Sequence, residues 1–332
     1  MRQILVTTGL CSILFCTGCN TFLGNIFRSN GGGGTGPAVT KKTPPPTAEQ
    51  LVSYMNKNSA YLQTVACDEM TVSATRDNGL GLLRMSFNAR MMAQQPKNFR
   101  LQGKAPAANS TALDLGSNSD EFWFWVKEIG PAKEPSPLFH CSYEDMEQGK
   151  VRNMPLPFQP SWIMETLCMA NFGPATRYQL KVSDTDLRLI EQTRSPQGKP
   201  LNKVIVFNRY PVRPPNPQIK EFRLEDGASG KLICSARVKE TQVVLPTSMA
   251  NTNEKNPTGG LLPKTLEIRW PEENIKLTLL LNRPQVGLPL PAGHPAFVRR
   301  PIPGVRSFDL ARGFDATPTS IQRVQGFGLN NR

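Results

Sequence analysis

Leu83-Arg84-Met85-Ser86-Phe87-Asn88-Ala89-Arg90-Met91 alternates apolar and polar side chains residue by residue. A period of two sends Met85, Phe87 and Met91 to one face and Arg84, Ser86 and Arg90 to the other, so this stretch predicts a strand with one dry and one wet side. The segment from Val65 to Arg76 precedes it, and between them stands Asp77-Asn78-Gly79. Asn-Gly tolerates positive φ at both central turn positions, which predicts an antiparallel hairpin. The same rhythm continues in Phe99-Arg100-Leu101, Leu113-Asp114-Leu115, Glu121 to Ile129 and Leu138 to Tyr143, separated by Gly, Asn, Ser and Pro. It resumes in Tyr178 to Val182, Leu187 to Thr193, Lys203 to Arg209, Ile219 to Leu224, Leu232 to Val238, Thr265 to Trp270 and Ile275 to Asn282. About a dozen short strands with hairpin-length connections imply an antiparallel sheet or barrel, because parallel pairing needs long crossovers.

Two segments break this rhythm. Thr47-Ala48-Glu49-Gln50 offers a capping threonine with Gln three residues on, and Leu51, Met55 and Leu62 follow at helical spacing, with Tyr54 and Tyr61 beside them. The second is Pro160 to Met169, a short helix begun at Ser161 whose apolar side carries Trp162, Ile163, Leu167 and Met169. Methionine packs adaptably, so this helix suits either a lid over a hydrophobic cavity or ordinary core.

The chain of 332 residues has ends unlike its middle. One positive charge at Arg2 precedes an apolar run from Ile4 to Phe15, shorter than the roughly 20 residues a membrane-spanning helix needs. That run ends in Leu14-Phe15-Cys16-Thr17-Gly18-Cys19, and small residues immediately before a cysteine resemble the lipobox of bacterial lipoproteins. The resemblance implies that residues 1–18 are a cleaved export signal and that Cys19 carries acyl chains such as palmitate. An ordinary secretory signal that merely leaves Cys19 near its cleavage point is the alternative. Asn20, rather than Asp, follows Cys19 and favours the outer membrane, facing the periplasm. Residues 19–46 hold Gly31 to Gly34 and Pro44-Pro45-Pro46, a composition that buries no apolar surface and reads as a flexible tether reaching ~30 Å. The folded domain is expected over 47–310, and 311–332, rich in Gly, Asn, Thr and Arg, reads as a disordered basic tail.

The net charge of +13 has six arginines from Arg299 onward against Asp309 and Asp315. This charge reads first as a solubilising surface; as a binding feature in an exported protein, anionic lipid, cell-wall polymer or another envelope protein is a more accessible partner than nucleic acid. Of seven cysteines, Cys67, Cys141, Cys168 and Cys234 remain in the domain. They allow two disulfides in any of three pairings, or four buried thiols. Without a Cys-x-x-Cys, and with only His140 and His294, no metal site is expected.

No nucleophile elbow, phosphate-binding loop or His-Glu-x-x-His occurs, so no enzyme and no cofactor is expected. Asp114, Asp120 and Glu121 are expected to cap and solvate turns rather than to form an acid/base pair.

Asn98-Phe99-Arg100-Leu101-Gln102-Gly103, Leu113-Asp114-Leu115-Gly116-Ser117-Asn118 and Glu121-Phe122-Trp123-Phe124-Trp125 resemble the LolA/LolB lipoprotein carriers and receptors, within a superfamily that includes LppX-like lipid-binding lipoproteins. The likeness covers residues 47 to 130, and beyond them only the succession of strands fits. It implies a mainly β domain with a few helices, a strongly curved antiparallel half-barrel whose concave face the helices cover. It implies too that an acyl chain sits in that concavity, with Met85, Phe87, Met91, Phe99, Leu101, Phe122 and Phe124 pointing inward and Trp162, Ile163 and Met169 acting as the lid. Each of these could equally be plain core. Leu80 or Leu82, beside Asn78-Gly79, is comparable with an exposed leucine associated with lipoprotein insertion. The insertion from Pro246 to Gly260 and the Arg- and Pro-rich stretch after Gly287 have no counterpart in that family. The reading is then a membrane-anchored envelope lipoprotein that binds an acyl chain or lipoprotein, with a role in lipid or lipoprotein transfer. The alternative is a non-catalytic interaction or scaffolding lipoprotein whose barrel is filled by its own side chains.

Overall fold

The computed structural model describes residues 44–77, 82–104, 111–127, 136–151, 160–195, 197–246 and 259–314. Cys19, the signal segment, most of the tether, the Asn78-Gly79 turn with Leu80, the middle of the 246–260 insertion and residues 315–332 lie outside them.

Helix α1 (Ala48–Tyr61) begins at the expected capping box: Gln50 N–H donates to Thr47 Oγ1, and Thr47 N–H donates to Gln50 Oε1. Its buried side is Leu51, Val52, Tyr54, Met55, Asn58 and Ser59, the i, i+4, i+8 stripe of an amphipathic helix. Asn58 fixes the docking, since its side chain both donates to Leu261 O and accepts from Leu261 N–H, leaving no buried amide group unsatisfied.

Six strands then form a meander: β1 (Thr64–Asp77), β2 (Leu82–Gln94), β3 (Asn98–Lys104), β4 (Thr111–Ser117), β5 (Glu121–Val126) and β6 (Leu138–Ser142). Helices α2 (Tyr143–Glu147) and α3 (Pro160–Thr166) follow. A second meander comprises β7 (Tyr178–Val182), β8 (Asp186–Arg194), β9 (Pro200–Asn208), β10 (Ile219–Asp226), β11 (Leu232–Val244), β12 (Gly260–Trp270) and β13 (Ile275–Asn282). Strands β14 (Gln285–Val286), β15 (Ser307–Asp309) and β16 (Gly313–Phe314) complete the sheet. The two meanders join where β13 pairs antiparallel with β1, Val72 opposite Leu279. The result is one open sheet of 16 strands, ending at β16 on one side and β7 on the other. All strand pairings are antiparallel except β15 with β6, the single departure from the antiparallel expectation among the described strands.

Inward-facing residues from distant parts of this sheet belong to one core. Phe122 and Phe124 of β5 and Leu187 and Leu189 of β8 share a cluster with α1 and α3. A sheet this wide can bring both wings to the same helices only by curling around them. The architecture is thus an open, curved antiparallel half-barrel, mainly β, with helices against its inner face.

The outer face carries a feature that composition concealed. Residues 288–306 cross β3 to β6 as a proline-rich strap. Such a segment has few N–H groups to pair, and its carbonyls are met instead by side-chain donors from the sheet. Thr64 Oγ1 donates to Leu288 O, Gln94 to Leu290 O, Asn118 to Phe297 O, and Arg100 Nη1 to both Ala296 O (3.2 Å) and Val298 O (2.6 Å). Under the strap, Trp123, Trp125 and Leu138 form a second small core with Ile302 and Val305. β5 is therefore covered on both faces, which its run of four buried aromatic residues requires.

Asp114 corrects the sequence reading. It solvates no turn but lies 2% exposed beneath the strap. Its carboxylate accepts from Arg100 Nε and Nη2 at 3.1 and 2.6 Å, and from Trp123 Nε1 at 3.3 Å. Glu121 pairs with Arg299 of the strap at 3.1 Å, while Asp120 stays exposed.

Candidate ligand-binding site

The inner face of the sheet is built from alternate residues of neighbouring strands. Ala74 lies opposite Met85 and Leu277, Leu101 opposite Leu115, and Ile268 opposite Leu277. With Phe87, Leu113, Leu279 and Trp270 they wall a cavity that α3 closes with Trp162 and Ile163. No polar atom of the lining is accessible in it. The cavity holds about 620 Å³ of unfilled space, its open mouth included, of which about 50 Å³ is wide enough to seat the centre of a water-sized group. It is a slot rather than a chamber.

Five of the residues expected at an acyl site line this slot: Met85, Phe87, Leu101, Trp162 and Ile163. Phe99, Phe122 and Phe124 line a smaller adjoining crevice that also ends on Ile163. Met91 and Met169 are buried in the main core, 2% and 0% exposed, and line neither apolar space. Sequence reasoning missed the walls from β1, β12 and β13. The alternation in Ile275 to Asn282 was visible, but nothing local says that β13 returns beside β1.

Two glycines shape these walls. A Cβ at Gly103 would stand 2.2 Å from the Phe87 ring, and one at Gly116 would stand 2.1 Å from the Trp123 ring. Each glycine accepts an aromatic face against its backbone, one inside the sheet and one outside.

Helix α3 is tied to the second meander, for Lys203 of β9 holds Glu165 at 2.6 Å, both side chains about a quarter exposed. Past its end, Cys168 takes a left-handed backbone (φ 60°), which ends the helix and turns Met169 into the core. The four domain cysteines are free and buried. Burial pushes Cys67 and Cys141 up to about 11 and Cys168 up to about 12, so none is an activated nucleophile at neutral pH. Among the described residues there is no grouping of three or more His, Cys, Asp or Glu that could hold a metal ion. No described helix is long and apolar enough to cross a membrane.

No protein-family model and no curated protein sequence matches this chain. Among solved structures it is similar to a DUF1329 family protein from Desulfovibrio piger, at 12% identity and TM-score 0.41, over 74% of this chain and 93% of that one. It is likewise similar to a domain from Vibrio parahaemolyticus described as an outer-membrane lipoprotein-sorting protein, at 10% identity and TM-score 0.42, over 74% and 96% of the two chains. A third likeness is to a LolA superfamily protein from Nitrosomonas europaea, at 11% identity and TM-score 0.41, over 74% of this chain and 96% of that one.

Proposed function

We propose that this chain is a lipid-anchored envelope protein that binds an acyl chain, free or carried by a lipoprotein, in the slot beneath α3. The observation that carries this reading is the chemistry of the slot, whose accessible lining is entirely apolar and which is closed by a short helix instead of by sheet. Each methylene buried there would contribute about 0.8 kcal/mol. The slot is too narrow for a full chain as it stands, so entry moves Trp162 and Ile163 outward and breaks the Lys203–Glu165 pair. Acylated Cys19 is the anchor in this reading, and the bound chain is a separate ligand.

The narrowness of the slot also favours a second reading, a scaffolding lipoprotein whose interior is complete without a ligand. Native mass spectrometry of the purified protein and titration with a fluorescent fatty acid separate the two. Acyl binding predicts a co-purifying ligand and saturable uptake, weakened about tenfold or more when Met85→Trp fills the slot. Lys203→Ala should speed uptake by freeing the lid. Absence of any ligand together with no uptake by either the parent or Lys203→Ala would leave the scaffolding reading standing. For the anchor, Cys19→Ala should abolish palmitate labelling, and undiminished labelling would refute it.

A further inference from the structure

A second space, wider than the slot, lies on the opposite side of the sheet from it. It is a cleft between the outer face of β2 and β3 and the strap, with about 290 Å³ open to the centres of water-sized groups, near the lower end of ligand pockets at about 300–1,000 Å³. Arg90, Arg100 and Gln102 form its floor, His294 and Arg300 its strap side, and Asp68 its far rim.

The charges in this cleft are not alike. Arg100 is spent, since Nε and Nη2 serve Asp114 and Nη1 serves two strap carbonyls. It fixes the floor and adds no net charge. Arg90 is oriented by a neutral group, its Nε and Nη2 both donating to Gln102 Oε1 at 3.2 and 2.9 Å, so it keeps its full charge and its Nη1 protons. Arg300 is exposed, and no carboxylate among the described residues lies within 4.0 Å of either Arg90 or Arg300. His294 Nδ1 accepts the backbone N–H of Ala296 at 3.2 Å. The proton of the neutral imidazole is therefore on Nε2, which makes this ring a further donor. Gln102 is spent as well, its Oε1 on Arg90 and its Nε2 on Asp114 at 3.4 Å, so two guanidinium groups and the His294 ring face one carboxylate of the lining, Asp68.

We infer that this cleft binds a tetrahedral oxyanion of the phosphate class. Guanidinium forks match the paired oxygens of a phosphate, and a pre-oriented Arg90 loses little freedom on binding one. The sheet separates the cleft from the slot, so one lipid could not place its chain in the slot and its headgroup here. The phosphate belongs to a second partner or to free phosphate, and these two sources are separable by experiment.

The test uses the full chain with Cys19→Ala, so that acylation does not itself bring the protein to membranes, titrated with inorganic phosphate by calorimetry. Saturable one-site binding is expected, weakened about tenfold or more in Arg90→Gln/Arg300→Gln and weakened by added salt. Those side chains are exposed, so the double variant should melt with the parent. No saturable phosphate binding, or binding that the double variant leaves unchanged, overturns the inference. Sedimentation with phosphatidylglycerol or phosphatidylcholine vesicles identifies the source. Retention on phosphatidylglycerol alone, lost in the double variant, assigns the cleft to lipid headgroups, and phosphate binding without retention on either assigns it to soluble phosphate. Acetate competing as well as phosphate at equal ionic strength would overturn the class assignment.

Discussion

Along the outer face of β10 to β13, Glu221 sits between Arg223 and Arg237, and Glu267 between Arg269 and Lys276, at 2.6 to 3.8 Å. The cations there are 27% to 49% exposed, so this wing meets water directly. Along the outer face of β3 to β6 the corresponding positions are Arg100, Asp114, Trp123 and Trp125, all less than 7% exposed. The difference lies in side-chain chemistry rather than in the sheet. Alternate residues that are all charged can lace themselves across neighbouring strands and stay wet. Two tryptophans and one buried ion pair cannot, and the strap is the cover they require. The ion pair under that cover has lost hydration on both partners, whereas on the other wing Glu221 and Glu267 are themselves buried but their cations stay in water.

The largest expected effect tests that contrast directly. Arg100→Ala leaves Asp114 buried and uncompensated, and removes the donors to Ala296 O and Val298 O, so it should cost about 3–5 kcal/mol in urea unfolding. Arg237→Ala on the exposed wing should cost about 0–1 kcal/mol. Equal costs would mean that the strap does not desolvate the pair. A smaller effect belongs to Gly116→Ala. Its methyl group would meet the Trp123 ring, which is held by Asp114 on one side and by Ile302 and Val305 on the other, so overpacking should cost about 1–3 kcal/mol. A neutral Gly116→Ala would show that the ring and strap can lift together, and the two wings would then differ less than their burial suggests.

The strands of both wings were legible in the sequence. The succession of short apolar–polar runs found β1 to β13, and the bounds of β7 and β13 coincide with those read from pattern alone, although Leu279-Leu280-Leu281 interrupts the alternation in β13. Two of the three helices were legible, α1 through its capping box and α3 through Trp162 and Ile163, whereas α2 was not, its first residue Tyr143 having the look of the end of β6. The order of the sheet was not, since the pairing of β13 with β1 closes over about 200 residues and leaves no local trace. The strap was hidden for a different reason. Its proline-rich sequence has neither period, and what holds it is the side chains of Thr64, Gln94, Arg100 and Asn118, far away in the chain. Asp114 looked like a turn residue for the same cause, as its partner is 14 positions back on another strand. At the slot, Met85, Phe87, Leu101, Trp162 and Ile163 had been named through the family resemblance, on strands and a helix that the pattern had marked. Their partners on β12 and β13 were missed because they depend on the sheet order.

The smallest effect separates the wings by their dynamics. Arg299 holds the strap to Glu121 through a pair that is one quarter exposed on both sides, worth about 0.2–1 kcal/mol. Global stability should barely register Arg299→Ala. Local opening should register it, because the strap continues into β15, whose pairing covers the free edge of β6 at Leu138 to His140, next to Cys141. Burial, with Asp309 adding to it, holds the Cys141 thiol at about 11, and burial pushes Cys234 above its usual range as well. At pH 8 both are protonated in the closed state, so alkylation proceeds through open states and its rate reports their population. In Arg299→Ala, Cys141 should label up to about fivefold faster, the factor that about 1 kcal/mol allows. Cys234, on β11 in the exposed wing, should keep its rate. If both rates rise together, the strap stabilises the whole sheet rather than one wing. If neither rises, Thr64, Gln94, Arg100 and Asn118 hold the strap without Arg299, and the Arg299 pair is a surface contact of the same kind as those on the other wing.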